Sequence, residues 1–191
     1  MADVEGQVKH DDHLDAEAQA RRRLALAQIR QFGDPALRMR AQEVTEFDAD
    51  LRHLVDRMTA LMTDAQGVGL AGTQVGVLRR VFVFVEDTDS PPRAVVNPEI
   101  VERSDAVETD DEGCLSLQGV LVPVERAAQI TLAGKDLDGD DVRFELEGLG
   151  ARVVQHELDH LDGVLIIDRT DRESRRGAMA TLRPQPLLYV G

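Results

Sequence analysis

The sequence predicts one α+β domain, in which antiparallel strands pack around a central helix and further helices lie toward both ends of the chain. Three observations predict this fold class. The chain has 191 residues, 42% of them apolar, which suits a single domain with a hydrophobic core. Helical periodicity appears in the first third of the chain and returns near its C-terminus. The segments between these regions are short and β-branched, as expected of strands.

The first third of the sequence predicts two helices. Residues 1–20 are rich in acids, and we expect them to form a mobile extension to a folded domain over residues 21–183, with a tail over residues 184–191. A moderate helical pattern runs from Leu14 to Phe32, and Asp34 before Pro35 then predicts a turn. A clearer helix follows Asp48, its predicted N-cap, and Gly67 is its predicted stop. Its apolar positions form one stripe: Leu51, Leu54, Val55, Met58, Leu61, Met62 and Ala65.

The middle of the sequence predicts strands. RRVFVFV (79–85) is β-branched and aromatic, and AVVNPEIV (94–101) is expected to break at Asn97–Pro98. AQITLAG (128–134) and DVRFELEG (141–148) flank the turn KDLDGD, which predicts a hairpin.

The turn KDLDGD also requires a test as a calcium loop. Asp136, Asp138, Asp140 and Glu147 fall at positions 1, 3, 5 and 12 of the EF-hand pattern. However, Gly139 stands two positions earlier than the glycine of that pattern, and the segment before Glu147 reads as a strand. The sequence therefore does not favour calcium.

Charge and cysteine usage exclude several classes of protein. The formal net charge of −14 repels phosphate backbones and argues against a DNA-binding surface. Cys114 is the single cysteine, so no internal disulfide can form, and a lone thiol fits a reducing cytosol. The arginines at 21–23 do not make a secretory leader, because the apolar stretch after them is short. No stretch of the sequence is apolar for long enough to span a membrane, and we expect a cytoplasmic protein.

The last third of the sequence predicts helices from Leu149 to Leu161 and from Arg169 to Leu182. The first contains QHELDHLDG, in which His156 and His160 are four residues apart. On a helix these side chains lie one above the other on one face and can reach a single cation. Glu157 lies beside them, where it can take a proton from a water molecule and deliver it later. The alternative is a charged helix face with two exposed histidines, since this motif also arises by chance.

Two histidines do not complete a catalytic metal site, which usually has three protein ligands and one open position. No histidine follows His160, which disfavours an ordinary zinc protease. Cys114, in DDEGCLSLQG (110–119), is the remaining soft ligand, and with two histidines it would suit Fe²⁺ or Zn²⁺. A buried inert thiol, or a cysteine nucleophile with a histidine base, are the alternatives. The nucleophile would leave Glu157 without a role.

A third stretch, GVGLAGTQ (67–74), is rich in glycine and ends in Gln74. It predicts a backbone that a ligand approaches closely, with an amide able to stabilise an oxyanion. A packed bend after a helix is the alternative. A dinucleotide-binding loop is excluded, because that loop must follow a strand.

Together, GVGLAGTQ (67–74), EGCLS (112–116) and QHELDH (155–160) closely resemble, in this order, the three motifs of the peptide deformylases. The resemblance extends to GDPALR (33–38) and GARVVQHELDHLDGVLIIDR (150–169) and covers roughly residues 29–171. It implies a cytoplasmic hydrolase that removes the formyl group from the N-terminal formyl-methionine of new polypeptides. The order of the motifs, the register of the two histidines and the upstream cysteine are independent matches.

The resemblance also implies roles for residues. Cys114, His156 and His160 would bind one divalent metal, Fe²⁺ first, with Zn²⁺, Ni²⁺ or Co²⁺ as substitutes. Glu157 would be the general base and acid. Gln74 and the Leu115 N–H would stabilise the oxyanion. The peptide and its methionine would be bound by Val68, Gly69, Gly113, Leu149 and Val153. Glu112 and Arg126 would brace the strand that carries Cys114.

Three positions depart from the family pattern, which often has an alanine and a proline where this chain has Gly72 and Thr73, and a proline at Gln118. We expect these departures to alter the rim of the substrate site. The resemblance further implies nascent formylated peptides as partners and a monomer. RESRR (172–176) could contact the ribosome, and a solvated helix face is the alternative that its composition favours. Two other classes stay open: a metalloprotease or amidase of broader specificity, and a non-catalytic peptide binder.

Overall fold

The computed structural model describes residues 15–183, so residues 1–14 of the predicted extension and the predicted tail over residues 184–191 lie outside the described residues. Helix α1 (Ala16–Leu26) begins at Asp15, whose side chain accepts a hydrogen bond from the Ala18 N–H. It therefore starts within the segment predicted as an extension. A 3₁₀ turn follows at Pro35–Arg38, with Asp34 as its cap.

Helix α2 (Ala49–Asp64) confirms the predicted N-cap, since the Asp48 carboxylate accepts from the Leu51 N–H. Its apolar stripe is buried as predicted. The predicted stop is one residue late: the helix ends at Asp64 with Ala65 as its C-cap, and Gln66 instead of Gly67 adopts the left-handed conformation after it, with φ 58°. The Gly67 N–H bonds back to the Met62 carbonyl and closes the end of the helix.

Five strands form one antiparallel sheet in the order β1, β2, β3, β6, β7. Their bounds are β1 Gly69–Ala71, β2 Val81–Phe84, β3 Arg93–Arg103, β6 Gln129–Lys135 and β7 Asp141–Glu147. The predicted hairpin is confirmed, since β6 and β7 pair over their whole length around the turn at residues 136–140.

Strand β3 corrects one prediction, because it continues through Asn97–Pro98 instead of breaking there. The register against β6 shifts between Val96 and Glu99, and Asn97 has a φ of 49°. This bulge accommodates the proline, which has no N–H to donate to a ladder. The Asn97 side chain exchanges two hydrogen bonds with the backbone of Val44 and so fixes the bulge against a preceding loop.

A second, two-stranded sheet is formed by β4 (Val107–Gly113) and β5 (Leu121–Ala127). The residue pattern did not predict this sheet, although the family resemblance implied a strand at Cys114. Strand β4 reads VETDDEG and has no apolar alternation, so its side chains give no strand signal. The turn between the two strands, residues 114–120, contains Cys114. This sheet therefore carries the candidate third metal ligand.

Helix α3 (Gly148–Leu161) lies at the centre of the fold, between the five-stranded sheet and the β4–β5 sheet. Eleven of its fourteen residues are buried, which is far more than the single buried stripe of a surface helix. Helix α4 (Arg172–Thr181) is the last helix within residues 15–183 and packs against β5. The predicted α+β architecture around a central helix is confirmed. Within residues 15–183 no helix is both long and apolar enough to cross a membrane.

Candidate metal centre and active site

Helix α3 directs His156 and His160 into the interior of the protein. Both side chains are buried, with 2% and 1% exposure, and their ring centroids lie 4.8 Å apart. The four-residue spacing produces this arrangement directly, because residues at i and i+4 share a helix face. The alternative of two exposed histidines on a charged face is therefore wrong.

Cys114 reaches the same point from the end of β4. Its Sγ lies 3.2 Å from His160 Nε2, and the side chain is 2% exposed. One ligand atom from each of Cys114, His156 and His160 lies within 4.8 Å of the others. In the part of the chain that the structure describes, no other group of three such residues converges in this way.

The donor atoms of this group fit a metal ion. His156 Nε2 is buried and has no hydrogen-bond partner among residues 15–183, whereas a buried polar atom is ordinarily paired. Burial, with a further effect of His156, holds the pKa of His160 well below its usual range, so its imidazole is neutral and able to act as a ligand. Burial raises the pKa of the Cys114 thiol to about 12. A divalent cation would reverse that effect, because a coordinating thiol is deprotonated outright.

Glu157 is the buried carboxyl group beside these ligands. It is 1% exposed, and neither of its oxygens has a hydrogen-bond partner in the described chain. Burial, reinforced by the negative charge of Glu112, raises the pKa of Glu157 well above its usual range. A carboxyl group with a raised pKa in a buried site is suited to take up and release a proton near neutral pH.

A network of charged side chains holds His156 from behind. Glu112 is fully buried, and its Oε2 lies 3.1 Å from His156 Nδ1. Because a carboxylate can only accept, Nδ1 carries the proton and Nε2 keeps its lone pair for a ligand. Arg126 donates to both oxygens of Glu112, each at 2.9 Å, and a third bond goes to Asp159 at 2.6 Å. Burial acts to raise the pKa of Glu112, but the bonds from His156 and Arg126 outweigh it and hold the pKa well below its usual range.

The two candidate oxyanion donors lie beside the ligands. Gln74, 1% exposed, accepts a bond from the Ala71 N–H through Oε1, which turns its Nε2 toward Ser116 Oγ at 3.1 Å and Cys114 Sγ at 3.7 Å. Leu115 is likewise buried, in the turn directly after Cys114. The Gln74 amide thus contacts Cys114, and Leu115 is its neighbour in the chain.

One segment, residues 30–32, bonds to the turns that carry both of these donors. The Arg30 N–H bonds to the Gln74 carbonyl at 2.7 Å, and the Phe32 N–H bonds to the Ser116 carbonyl at 2.8 Å. Between them, the Gln31 side chain donates to the Leu115 carbonyl at 3.2 Å. Sequence reasoning missed this segment, because backbone bonds between residues so far apart leave no pattern in the sequence.

The predicted peptide-binding residues lie in or next to β1, at the end of β4 and in the first half of α3. Gly69 lies so close to α3 that a Cβ built on it would stand 2.3 Å from Glu157 Oε1 and 2.8 Å from Val153 Cγ1. Val68 and Leu149 are partly buried against the apolar cluster that contains Val153. Gly113, at the end of β4, is buried and pairs with Leu121 of β5. The glycine at position 69 is thus required by a close approach of the backbone to the carboxyl group.

The three departures from the family pattern do not all lie at a rim. Thr73 is fully buried, and its hydroxyl donates to the His160 carbonyl at 3.2 Å. Gly72 is buried as well, and an added Cβ would lie 2.9 Å from the Arg79 carbonyl. Gln118 is exposed and donates to Gln31 at 2.8 Å. Two of these positions therefore shape the loop beneath Gln74, and the third contacts the segment that holds Leu115.

Further polar residues around the centre were not assigned roles from the sequence. Arg152 donates to Glu112, and Ser116 accepts from Gln74. Arg169 forms two bonds to Asp159. The one available signal was position: Arg152 precedes His156 by one helical turn, and Asp159 directly precedes His160.

These features define a class of protein: an HExxH hydrolase that depends on a metal, with a cysteine in place of the usual downstream third ligand. Comparison with known proteins identifies the family. The model of the family described as polypeptide deformylase matches residues 26–176 of this chain. The match spans most of the chain and includes all three motifs.

Individual relatives agree with the family model. Peptide deformylase 1 of Corynebacterium glutamicum is 46% identical over 164 residues, which are 84% of this chain and 96% of that protein. The peptide deformylase of Thermotoga maritima is 48% identical over 147 residues, 77% of this chain and 88% of that protein. The crystal structure from Thermotoga maritima superposes with a TM-score of 0.72 at 49% identity, covering 75% of this chain and 96% of that one. The crystal structure of a plant peptide deformylase superposes with a TM-score of 0.77 at 35% identity, covering 81% of this chain and 86% of that one.

The chain therefore belongs to the polypeptide deformylase family. It is a metal-dependent hydrolase that removes the N-formyl group from newly made polypeptides. The resemblance noted in the sequence is confirmed.

Proposed function

We propose that deformylation takes place at the buried centre formed by Cys114, His156, His160 and Glu157. The observation that carries this proposal is the convergence of three ligand atoms within 4.8 Å beside a buried carboxyl group. A thiolate and two imidazoles suit Fe²⁺, with Zn²⁺, Ni²⁺ or Co²⁺ as substitutes. Such an ion, when bound, supplies a Lewis acid that polarises the formyl carbonyl and lowers the pKa of a water molecule.

Glu157 moves the proton in this mechanism. Its carboxylate takes a proton from the attacking water, whose oxygen bonds to the formyl carbon. The same carboxyl group then gives the proton to the methionine nitrogen as the C–N bond breaks, and formate and a free amine result. The lack of other hydrogen-bond partners for both Glu157 oxygens within residues 15–183 leaves them available for this exchange.

Gln74 and Leu115 stabilise the negative charge that develops on the formyl oxygen. Gln74 Nε2 and the Leu115 N–H are the donors, and such groups act most strongly when they are held in place before the reaction. The bond from the Ala71 N–H to Gln74 Oε1 fixes which end of the amide faces the centre. The bonds from residues 30–32 fix the two turns that carry the donors.

The peptide binds as an added strand between β1 and the end of β4. The backbones of Val68, Gly69 and Gly113 pair with the extended substrate, in the β-addition mode. The methionine side chain lies against Val68, Leu149 and Val153, which belong to one apolar cluster. Glu112 and Arg126 act indirectly, by holding His156 and the strand that carries Cys114.

The test pairs metal analysis with substrate discrimination. Protein purified without oxygen should contain about one Fe²⁺ per chain. It should deformylate formyl-Met-Ala, and acetylated or unblocked peptides should be cleaved far more slowly. Equal rates on formyl and acetyl peptides would instead support an amidase of broader specificity. The iron form should lose activity in air, whereas the nickel form should keep it, and an iron form that survives aeration would argue against an open Fe²⁺–thiolate site.

The cellular setting is also a proposal. We place the protein in the cytoplasm as a monomer, with a folded domain over residues 21–183 that acts on nascent chains at the ribosome. Arg172 and Arg176 are exposed and share one face of α4, where they can contact rRNA phosphates. Replacing both with Gln should weaken binding to ribosomes and reduce its salt dependence. Unchanged binding by the double variant would remove this contact from the proposal.

A further inference from the structure

Arg152 is a buried cation in α3 that the mechanism does not use. Its side chain is 8% exposed, although arginine is rarely buried without partners. It stands one helical turn before His156 and faces the β4–β5 sheet. Its hydrogen bonds show what it holds together.

The guanidinium of Arg152 bonds to both strands of that sheet. Its Nη1 donates to Glu112 Oε1 and to the Val124 carbonyl, each at 2.9 Å. Its Nη2 donates to the Glu108 carbonyl at 3.0 Å and to Asp110 Oδ2 at 3.3 Å. The planar fork of an arginine can reach several acceptors at fixed angles, which a lysine cannot do. One side chain of the histidine helix therefore joins α3 to the strand that leads to Cys114.

The bond to Glu112 leads directly to a metal ligand. Glu112 Oε1 accepts from Arg152 and Arg126, and Glu112 Oε2 accepts from Arg126 and His156 Nδ1. All accepting positions of this carboxylate that face the protein are thus in use, and its plane is fixed. A fixed Glu112 in turn holds the His156 ring in the orientation that presents Nε2 to the centre.

Other bonds between α3 and this sheet do not duplicate the effect. The Gln155 side chain bonds to the backbone of Ala127, and Asp159 bonds to Arg126. Both of these partners lie on β5. Arg152 reaches β4, the strand that carries Glu112 and ends beside Cys114.

We propose that Arg152 is a positioning residue for metal binding. It holds Glu112 against His156 and it sets the distance between the Cys114 strand and the histidine helix. The inference rests on the proposed ligand set of Cys114, His156 and His160. It predicts an effect on metal affinity that a purely structural arginine would not have.

The test is the affinity of metal-free protein for Zn²⁺, measured by competition with a chromophoric chelator. Arg152→Gln should bind Zn²⁺ about 10–100-fold more weakly, the range found when a group that orients a ligand is lost. Arg143→Gln is the matched control, because Arg143 is exposed and bonds to an exposed carboxylate, Glu102, away from the centre. It should bind Zn²⁺ as the unaltered protein does. Full Zn²⁺ affinity in Arg152→Gln together with a lowered urea midpoint would reduce Arg152 to a structural role and overturn the proposal.

Two further variants keep the test decisive. If Arg152→Gln does not fold, Arg152→Lys replaces it in the test. The lysine keeps the charge but cannot bond to both strands, so Zn²⁺ affinity should still fall. An unchanged affinity would overturn the proposal. In a Glu112→Gln background, replacing Arg152 should weaken Zn²⁺ binding much less than in the unaltered protein, since the two act through one chain of bonds. If replacing Arg152 weakens Zn²⁺ binding as much in the Glu112→Gln background as in the unaltered protein, Arg152 does not act through Glu112, and that part of the proposal is overturned.

The outcome also separates this inference from the proposed function. His160→Ala should abolish stoichiometric Zn²⁺ binding. If His160→Ala keeps its Zn²⁺, the ligand set itself is wrong, whatever the Arg152 variants show. If His160→Ala loses Zn²⁺ and Arg152→Gln does not, the ligand set stands and the role of Arg152 is refuted.

Discussion

Two regions of this protein are rich in residues that can bind metals, and their structures differ sharply. In the exposed turn of residues 136–140, carboxylates already have partners. Asp136 Oδ1 accepts from the N–H groups of Asp138 and Asp140, and Asp138 pairs with Arg52 at 2.6 Å. In the buried centre, His156 Nε2 and both oxygens of Glu157 have no hydrogen-bond partner within residues 15–183.

The difference shows that residues able to bind a metal, even when they are spaced as in a known metal-binding motif, do not by themselves form a metal site. The turn uses its carboxylates to build a loop, as Asp commonly does in turns. The centre instead keeps buried polar atoms unsatisfied, at a cost of about 1–3 kcal/mol for each such group. A folded protein tolerates that cost mainly where function requires it.

The largest expected effect comes from removing a ligand. His160→Ala should lose both the bound metal and measurable deformylase activity, because two remaining ligands do not hold a metal tightly. Asp140→Asn, in the exposed turn, is the matched control and should keep its metal content, with a rate within about twofold of the original. Metal analysis and formyl-Met-Ala turnover measure both. Loss of the metal from the Asp140 variant would make the two regions alike and break the comparison.

Replacing Glu157 with Gln should separate metal binding from catalysis. The three ligands remain, so the metal content should stay near one per chain. The variant lacks a carboxylate that can take and deliver a proton, and kcat should fall about 10²–10⁴-fold, or about 3–5 kcal/mol of barrier, with KM little changed. Steady-state kinetics with metal analysis tests this. A variant that retains most of its turnover would refute the proton-transfer role, and one that sheds the metal would make Glu157 a ligand.

The rate at which Cys114 is alkylated should depend on bound metal, and this effect is smaller than the loss of activity in the variants above. A thiolate bound to metal is protected, so labelling of the loaded protein by iodoacetamide should be negligible. After chelation the thiol should become reactive, but slowly at pH 7, because burial raises its pKa to about 12. The labelling rate should therefore increase as the pH rises from about 7 to 10, as followed by mass spectrometry. Equal labelling with and without metal would count against ligation by Cys114.

The smallest effect concerns Asp168, a carboxyl group outside both regions. Burial acts to raise the pKa of Asp168, but the hydrogen bonds from Arg38 and from the Leu165 N–H outweigh it and lower the pKa. A carboxyl group with a lowered pKa in the folded state stabilises the protein above its unfolded pKa, and this contribution is lost as the pH falls through the folded value. Asp168→Asn should therefore be less stable than the original at pH 7, and the difference should shrink as the pH falls below about 4, the usual pKa of an unfolded Asp.

Urea unfolding at several pH values measures this difference, with Arg38→Gln as the background control. In that background the effect of Asp168→Asn should be smaller, because the main favourable partner is absent. A difference that stays constant from pH 7 to pH 3 would show that the Asp168 charge is not its source.

The sequence by itself determined the features that depend on neighbours along the chain. The spacing of His156 and His160 placed them on one face, because the geometry of a helix is the same wherever it occurs. The apolar stripe of α2 and its Asp48 cap were readable for the same reason, as was the turn that joins β6 and β7. The family resemblance extended this to a list of residues, but it could not supply their contacts.

Tertiary structure alone decided how distant segments meet. Cys114 lies 46 residues before His160, and only the β4–β5 sheet brings its Sγ within 3.2 Å of the imidazole. The residue pattern did not predict that sheet, because the polar residues of β4 give no alternation, so that pairing with β5 defines the strand. The contact of Arg152 with Glu112 and the support of Leu115 by Gln31 were invisible for a related reason. A hydrogen bond between distant residues depends on positions in space that local propensity does not encode.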